Sequence, residues 1–473
     1  MKTTSSIIAF ILLASLAWVS AGDYGWKASL SARDITPGVG VWMGGYAARK
    51  GPAAKIQQPL FAKALALKDE EGGRFVCLTL DLIGVPKALR TEIENYAFDT
   101  YQLPPASLVI NASHTHCGPM IRLYRPPGSE DGTLRAPYNN IPDAEQALRV
   151  EEVTQYLEDV RIALKELIDE CMGSLEPATL QFTRSKCGFA MNRRTPGPNK
   201  SWKNSPNPDG PVDHEVPVLQ VFDAKKNLKG ILFGYACHAT TLSIMEINGD
   251  WPGYAQQFLE EDHPGVVAMF VNGASADQNP YPRRLQVYVE RHGRSISTAV
   301  EAAMETTPVE IRGPLHAALA WPEIPYQTAP SKAALEKRVE STDRYESRHA
   351  AFLLEALNAG GSLPESYPVP VQVIRFGESM TWITMGGEVV VDYALRLKLE
   401  IGGKSGTPVW FAGYSNDVMT YIPSLRVLEE GGYEGGSAMR FVRSVIHPAP
   451  WERTIEETLV GKIHELYDEL KMR

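Results

Sequence analysis

Two short segments of this 473-residue chain set imidazoles among small and hydroxyl residues. One reads NASHTHCGP over positions 111–119, the other YACHATTLS over positions 235–243. Each follows an apolar, β-branched run, so His114 and His116 in the first and His238 in the second stand at predicted strand ends. If the first strand continues, side chains two apart project from one face, and His114 and His116 aim two nitrogen donors together, as metal sites often require. A lone His-x-His is more often a pair of satisfied core histidines, and the recurrence of the same polar setting around His238 shifts the balance toward metal binding. Spacing alone does not decide which of His114 and His116 would be the ligand.

Two further segments bring oxygen. MGGEVVVDY at 385–393 places Glu388 behind a predicted strand and two glycines that permit a sharp turn, and GYSNDVMTYIPS at 413–424, rich in turn formers, carries Tyr421 near its end. Taken singly, Glu388 reads as a solvated carboxylate and Tyr421 as a packed core ring.

The elements that must hold these segments alternate irregularly. Apolar residues at helical spacing predict helices over 151–170, 253–262, 285–305 and 332–358, with a closing helix over 451–473. Short apolar runs predict strands at 75–80, 107–111, 218–222, 230–235, 266–271, 371–375 and 382–385. This interleaving predicts an α/β domain with more than one sheet. Proline and glycine mark loops at 124–142, 194–212 and 360–369, the first two long enough to be functional surface.

Lys2, the apolar stretch 7–19 and Ser20-Ala21-Gly22 read as a signal peptide over 1–21, which leaves 22–473 as the mature domain, exported to the periplasm or the extracellular space. That stretch is too short to span a bilayer, and no later segment supplies a transmembrane helix. A net charge of −9 without a Lys or Arg run argues against nucleic acid as a partner. Five widely spaced cysteines permit a disulfide in an oxidising compartment, and the odd count leaves at least one thiol free.

The order of ten segments resembles the neutral, non-lysosomal ceramidases: GGYAARKGPAAKIQQPLFAKALAL, DLIGVP, NASHTHCGP, MNRR, YACHATTLS, GDWPGYA, NGASADQNP, GGEVVVDY, YSNDVMTYIPS and EEGGYEGG. The resemblance spans nearly all of the mature chain. It implies two packed mixed β-sheets flanked by helices, and a single zinc ion held by His114, His238, Glu388 and Tyr421. Such mixed nitrogen and oxygen ligands suit a catalytic zinc that keeps one position for water. The resemblance further implies that His116 is a non-ligand that handles protons, and that Arg193 of MNRR and Tyr433 of GGYEGG stabilise the oxyanion.

Two departures concern the substrate. The family carries a serine in a stretch resembling Asn-Val-Gly-Asp-Val-Ser-Pro-Asn, where an ungapped match puts Asp277 here, with Ser275 two positions earlier. On that match Asp277 is expected in the metal cleft with a lowered pKa, against the substrate. The family also continues into a C-terminal immunoglobulin-like β-sandwich that has no counterpart in this sequence. The implied activity is hydrolysis of an amide in a small-molecule or lipid N-acyl substrate. The alternatives are another N-acyl or ester substrate on the same scaffold, and a non-catalytic secreted metal- or lipid-binding protein, against which His116, Arg193 and Tyr433 argue.

Overall fold

The stretch FAKALALKD is composed largely of good helix formers, yet it folds as the strand Phe61–Asp69 because its alternation suits a sheet buried on both faces. Ala62, Ala64 and Ala66 enter one apolar cluster, Leu65 and Leu67 another. The computed structural model describes residues 25–125, 134–137 and 141–472. Trp26–Asp34 and Arg74–Leu80 flank this strand antiparallel, and Leu108–Ala112 lies beyond Arg74–Leu80, parallel to it. On the other side of Trp26–Asp34 the order runs Glu176–Lys186, Glu215–Asp223, Leu228–Tyr235 and Val267–Asn272, the last two parallel. Val309–Ile311 pairs with Glu176–Lys186 and brings this mixed sheet to nine strands.

Helices Lys87–Tyr101, Gln146–Gly173, Asp250–Asp262 and Gln286–Met304 cover one face. The other face meets a second mixed sheet of Leu315–Ala320, Val371–Phe376, Met380–Met385 and Val409–Ala412. Leu67, Phe75 and Met269 of the first sheet pack there against Ile374, Trp382 and Trp410 of the second. The outer face of the second sheet, with Val373, Ile383 and Phe411, is covered by helices Val391–Leu397 and Ile455–Lys471. The result is helix, sheet, sheet, helix, which is the expected α/β class of two packed mixed sheets flanked by helices.

The two outermost strands of the large sheet turn toward each other. Asn272 donates its backbone N–H to Asn111 Oδ1 at 2.9 Å, and Asn111 Nδ2 donates to the Gly413 carbonyl at 2.8 Å. These bonds tie both edges to the strand end of the second sheet, and five candidate segments leave the strands at this junction.

Three expectations need correction. The region 194–212 is not an open loop, since Trp202–Asn207 pairs antiparallel with Ala190–Pro196. Its prolines are tolerated because this strand lies at the edge of a three-stranded sheet completed by Gln278–Pro280. The span 332–358 forms two helices, Lys332–Val339 and Arg344–Asn358, because Asp343 caps a new N-terminus by accepting from Tyr345 and Glu346 N–H. All five cysteines are buried and free, so the permitted disulfide does not form. Residues 1–21 and part of the 124–142 loop lie outside the described residues. Among the described residues no helix is long and apolar enough to cross a membrane.

Candidate metal centre

The strand Leu108–Ala112 does not continue through the His-x-His motif, as the same-face argument supposed. His114 instead takes a left-handed backbone with φ of 62° and is pinned by its N–H to Leu82 O at 2.9 Å. A non-glycine residue in that region carries about 1–2 kcal/mol of strain, and such strain gathers at functional sites. His114 Nδ1 lies 2.6 Å from the Ile83 carbonyl, which can only accept, so Nδ1 bears the proton and Nε2 keeps its lone pair. His238 repeats the device. Its Nδ1 donates to Ser275 O at 2.7 Å, and its buried Nε2 has no hydrogen-bond partner. Orienting a ring through the nitrogen away from the ion is how metal-binding histidines are commonly fixed.

Glu388 Oε2 stands 3.3 Å from His114 Nε2 and 3.4 Å from His238 Nε2, and it too is buried without a hydrogen-bond partner. Tetrahedral zinc with bonds of ~2.0–2.1 Å has ligand-to-ligand edges of roughly 3.3–3.4 Å. Three orphaned or lone-pair-bearing atoms at those separations fit such an ion. His116 joins them, its Nε2 3.1 Å from His114 Nε2, and the three histidines offer ring nitrogens all within 4.8 Å of one another. The His116 ring lies 4.8 Å from that of Tyr46, and Gly45 makes this approach possible, since a Cβ there would sit 2.7 Å from His116 Cβ.

Glu388 and Tyr421 are direct partners in a two-residue parallel ladder. Gly387 has φ of 80°, and a Cβ on it would sit 2.5 Å from Ile422 Cγ1, so the paired glycines in the sequence are a requirement of this close crossing. The Tyr421 hydroxyl accepts from Arg193 Nη2 at 3.0 Å. Arg193 also donates to Glu434 at 2.8 Å and to Asn279 Oδ1 at 3.3 Å, while Arg194 holds the other oxygen of Glu434 at 2.7 Å. This buried Arg193–Glu434–Arg194 triad anchors the GGYEGG turn, whose Tyr433 ring is exposed and 5.2 Å from Tyr421. His116, Glu388 and Tyr433 reach solvent, whereas His114, His238 and Arg193 do not, so the centre opens on one side.

The electrostatics favour a cation. Burial, with Arg193 adding to it, pushes the His238 imidazole down to about 3, which keeps it neutral. Burial alone would raise the Glu388 carboxyl, but His114 and His238 beside it hold it well below the usual carboxylate range.

Asp277 lies between two of these segments. It is fully buried, but its carboxylate accepts from Val391 N–H at 2.9 Å and Asn192 Nδ2 at 3.1 Å, bridging the segment behind Glu388 to the strand that carries Arg193. Burial pushes its pKa up to about 7, with Val391 N–H opposing and Asp392 and Glu434 adding to the rise. Ser275 lies nearer the histidines, through its carbonyl on His238. The sequence reading missed Tyr414. Its ring is 4.6 Å from that of His114, its hydroxyl is buried without a partner, and its backbone has φ of 52°. A tyrosine seven residues before another in one turn-rich segment gave no signal of which ring meets the histidines.

Metal-type donors therefore meet at strand ends in a helix–sheet–sheet–helix frame, and the three histidines among them could hold a metal ion. The pattern described as neutral/alkaline non-lysosomal ceramidase, N-terminal, matches residues 26–283, more than half of the chain, and the protein belongs to that family of hydrolases. The fold is similar to the crystal structure of neutral ceramidase from Pseudomonas aeruginosa, with a TM-score of 0.69 at 17% identity over 95% of this chain and 75% of that one. A structure described as ceramidase complexed with C2 gives the same TM-score of 0.69 at 16% identity over 95% and 76% of the two chains. No curated protein sequence matches this chain. The family match contains His114, His116, Arg193, His238 and Asp277 and stops short of Glu388, Tyr421 and Tyr433. These last three reach the site through the fold.

Proposed function

We propose that the chain is an exported, zinc-dependent amidohydrolase of ceramidase type, in which residues 1–21 are a signal peptide and 22–473 one catalytic domain. The observation that carries this reading is the approach of Glu388 Oε2 to both His114 Nε2 and His238 Nε2, at 3.3 and 3.4 Å, with both histidines clamped through Nδ1. Tyr421, beside Glu388 in the ladder, is the fourth ligand. When bound, zinc supplies a water acidic enough to ionise near pH 7 and polarises the carbonyl.

The chain's own groups do the rest. Water adds across the C–N bond, so the acyl carbon gains an oxygen and the nitrogen must gain a proton to leave as an amine. His116, beside His114 and partly open to solvent, passes that proton to the nitrogen. Tyr433, on the rim, donates its O–H to the carbonyl oxygen as charge develops there, and the loss of one such donor typically costs about 10²–10³ in rate. Arg193 fixes the Tyr421 hydroxyl and adds positive potential behind it. Asp277 is a positioning residue that braces the Glu388 and Arg193 segments against each other.

The test is metal analysis of the purified protein together with fatty-acid release from N-acyl amides. One equivalent of zinc per chain, with turnover abolished by a chelator and restored by Zn²⁺, is the expected result. A chain that binds no metal, or binds it and cleaves esters but no amide, overturns the reading.

A further inference from the structure

The amine half of the substrate must lie on the His116 side of the centre, because His116 protonates the leaving nitrogen. Going outward on that side, the His116 ring meets Tyr46 at 4.8 Å, and the Arg284 guanidinium lies 6.0 Å from the Tyr46 ring. A second path runs from Arg193 through Asn279, which accepts from Arg193 at 3.3 Å and donates to the Tyr281 hydroxyl at 3.5 Å. The Arg283 guanidinium lies 5.6 Å from that tyrosine ring. Both paths therefore end on adjacent arginines.

Among the described residues, neither Arg283 nor Arg284 has a carboxylate within ion-pair distance or a side-chain hydrogen bond. The chain holds 56 acidic against 47 basic residues, so acidic partners are plentiful elsewhere, and two neighbouring cations left without one are a site in want of an anion. Arg284 is held in place at some cost, with φ of 87° and its N–H bound to Thr241 O at 2.7 Å. Thr241 belongs to the segment that carries His238. Burial, with Arg284 beside it, lowers the Arg283 pKa, and a bound anion relieves that repulsion.

We propose that Arg283 and Arg284 form an anion subsite, and that the substrate is an N-acyl amide whose amine half bears a carboxylate or phosphate rather than only hydroxyl groups. This rests on the amidohydrolase reading for the direction of the substrate. Guanidinium groups bind both anions through paired N–H donors, so the source of the charge is decided by experiment.

The experiment compares N-lauroylglycine, N-lauroyl-phosphoethanolamine and the neutral N-lauroylethanolamine as substrates of the zinc-loaded protein and of Arg283→Gln and Arg284→Gln. At least one anionic amide is expected to exceed the neutral one by roughly ten- to hundredfold in kcat/KM, mainly through KM. Each Gln variant should erode that preference about tenfold, and Arg→Lys should restore part of it. Which anion is favoured separates carboxylate from phosphate. Equal kcat/KM for charged and neutral amides, or variants that lower all three alike, overturn the subsite. If no amide is cleaved, calorimetric binding of N-lauroylglycine and of N-lauroyl-phosphoethanolamine decides. Arginine-dependent binding of either without turnover keeps the subsite and removes the hydrolase reading, whereas arginine-independent binding of both, or none, removes the subsite as well.

Discussion

The nine-stranded sheet and the four-stranded sheet each lead into two of the four side chains proposed as ligands, and they hold them differently. His114 and His238 leave the ends of Leu108–Ala112 and Leu228–Tyr235, and each is fixed by a single bond from Nδ1 to a backbone carbonyl of another segment, Ile83 for one and Ser275 for the other. Glu388 and Tyr421 leave the second sheet through a two-residue ladder, which the neighbouring Gly387 makes possible, and the phenol is held by a chain of charged side chains, Arg193 backed by Glu434. A histidine is oriented by the N–H it donates through the nitrogen turned away from the ion, whereas a carboxylate or phenolate oxygen can only accept and is oriented by donors and packing supplied around it.

The comparison breaks most completely at the histidine side. His238→Ala should abolish metal binding, measured by metal analysis, and lower turnover by roughly 10³-fold or more. Glu434→Gln strikes the other side without touching a ligand. It leaves Arg193 buried without its carboxylate, with an expected loss of about 3–5 kcal/mol in denaturant unfolding, together with weaker metal affinity. Metal affinity that is unmoved by Glu434→Gln would show that the phenol needs no remote support.

Gly387→Ala is milder. The added methyl meets Ile422 and requires an alanine at φ of 80°, with an expected cost of about 2–3 kcal/mol and a larger effect on metal affinity than an alanine replacement at an open glycine such as Gly265. The smallest effect tests the brace between the two sides. The Asp277 pKa, near 4 in the unfolded chain and about 7 in the fold, means the native state binds the proton more tightly. Its stabilising contribution is therefore full below pH 4 and lost as pH rises through 7, on the order of 1 kcal/mol of it between pH 6 and pH 8. Asp277→Asn, permanently uncharged, should flatten thermal stability over that interval. An unchanged pH profile would mean that Asp277 is not the group responsible.

The same division governs what the sequence disclosed. His114, His116 and His238 announce themselves because the same small, polar setting at a strand end recurs around imidazoles in two separate segments. Glu388 and Tyr421 are ordinary residue types whose partners stand far away in sequence, and family resemblance, not spacing, singled them out. For Asp277 alignment gives a position in the chain but not the direction of its side chain, whose two hydrogen-bond donors come from residues 192 and 391. In the fold, Phe61–Asp69 escaped notice because alternation of alanine with leucine is legible as a strand only when both faces are known to be buried. The single helix expected over 332–358 failed on one capping residue, Asp343.

The asparagine fastening between Asn111 and Asn272 has a further bearing on how the molecule opens. His114 follows one of the fastened strands and the segment around Ser275, whose carbonyl clamps His238, follows the other. Prising the two edges apart would therefore separate the donors, so an ion bound between them acts as a rivet across the seam. By mass action, the free energy of loading the ion is added to that of local opening. Amide protons of residues 112 and 272 should accordingly exchange more slowly with solvent in the loaded protein than in the stripped one, even though neither residue touches the ion.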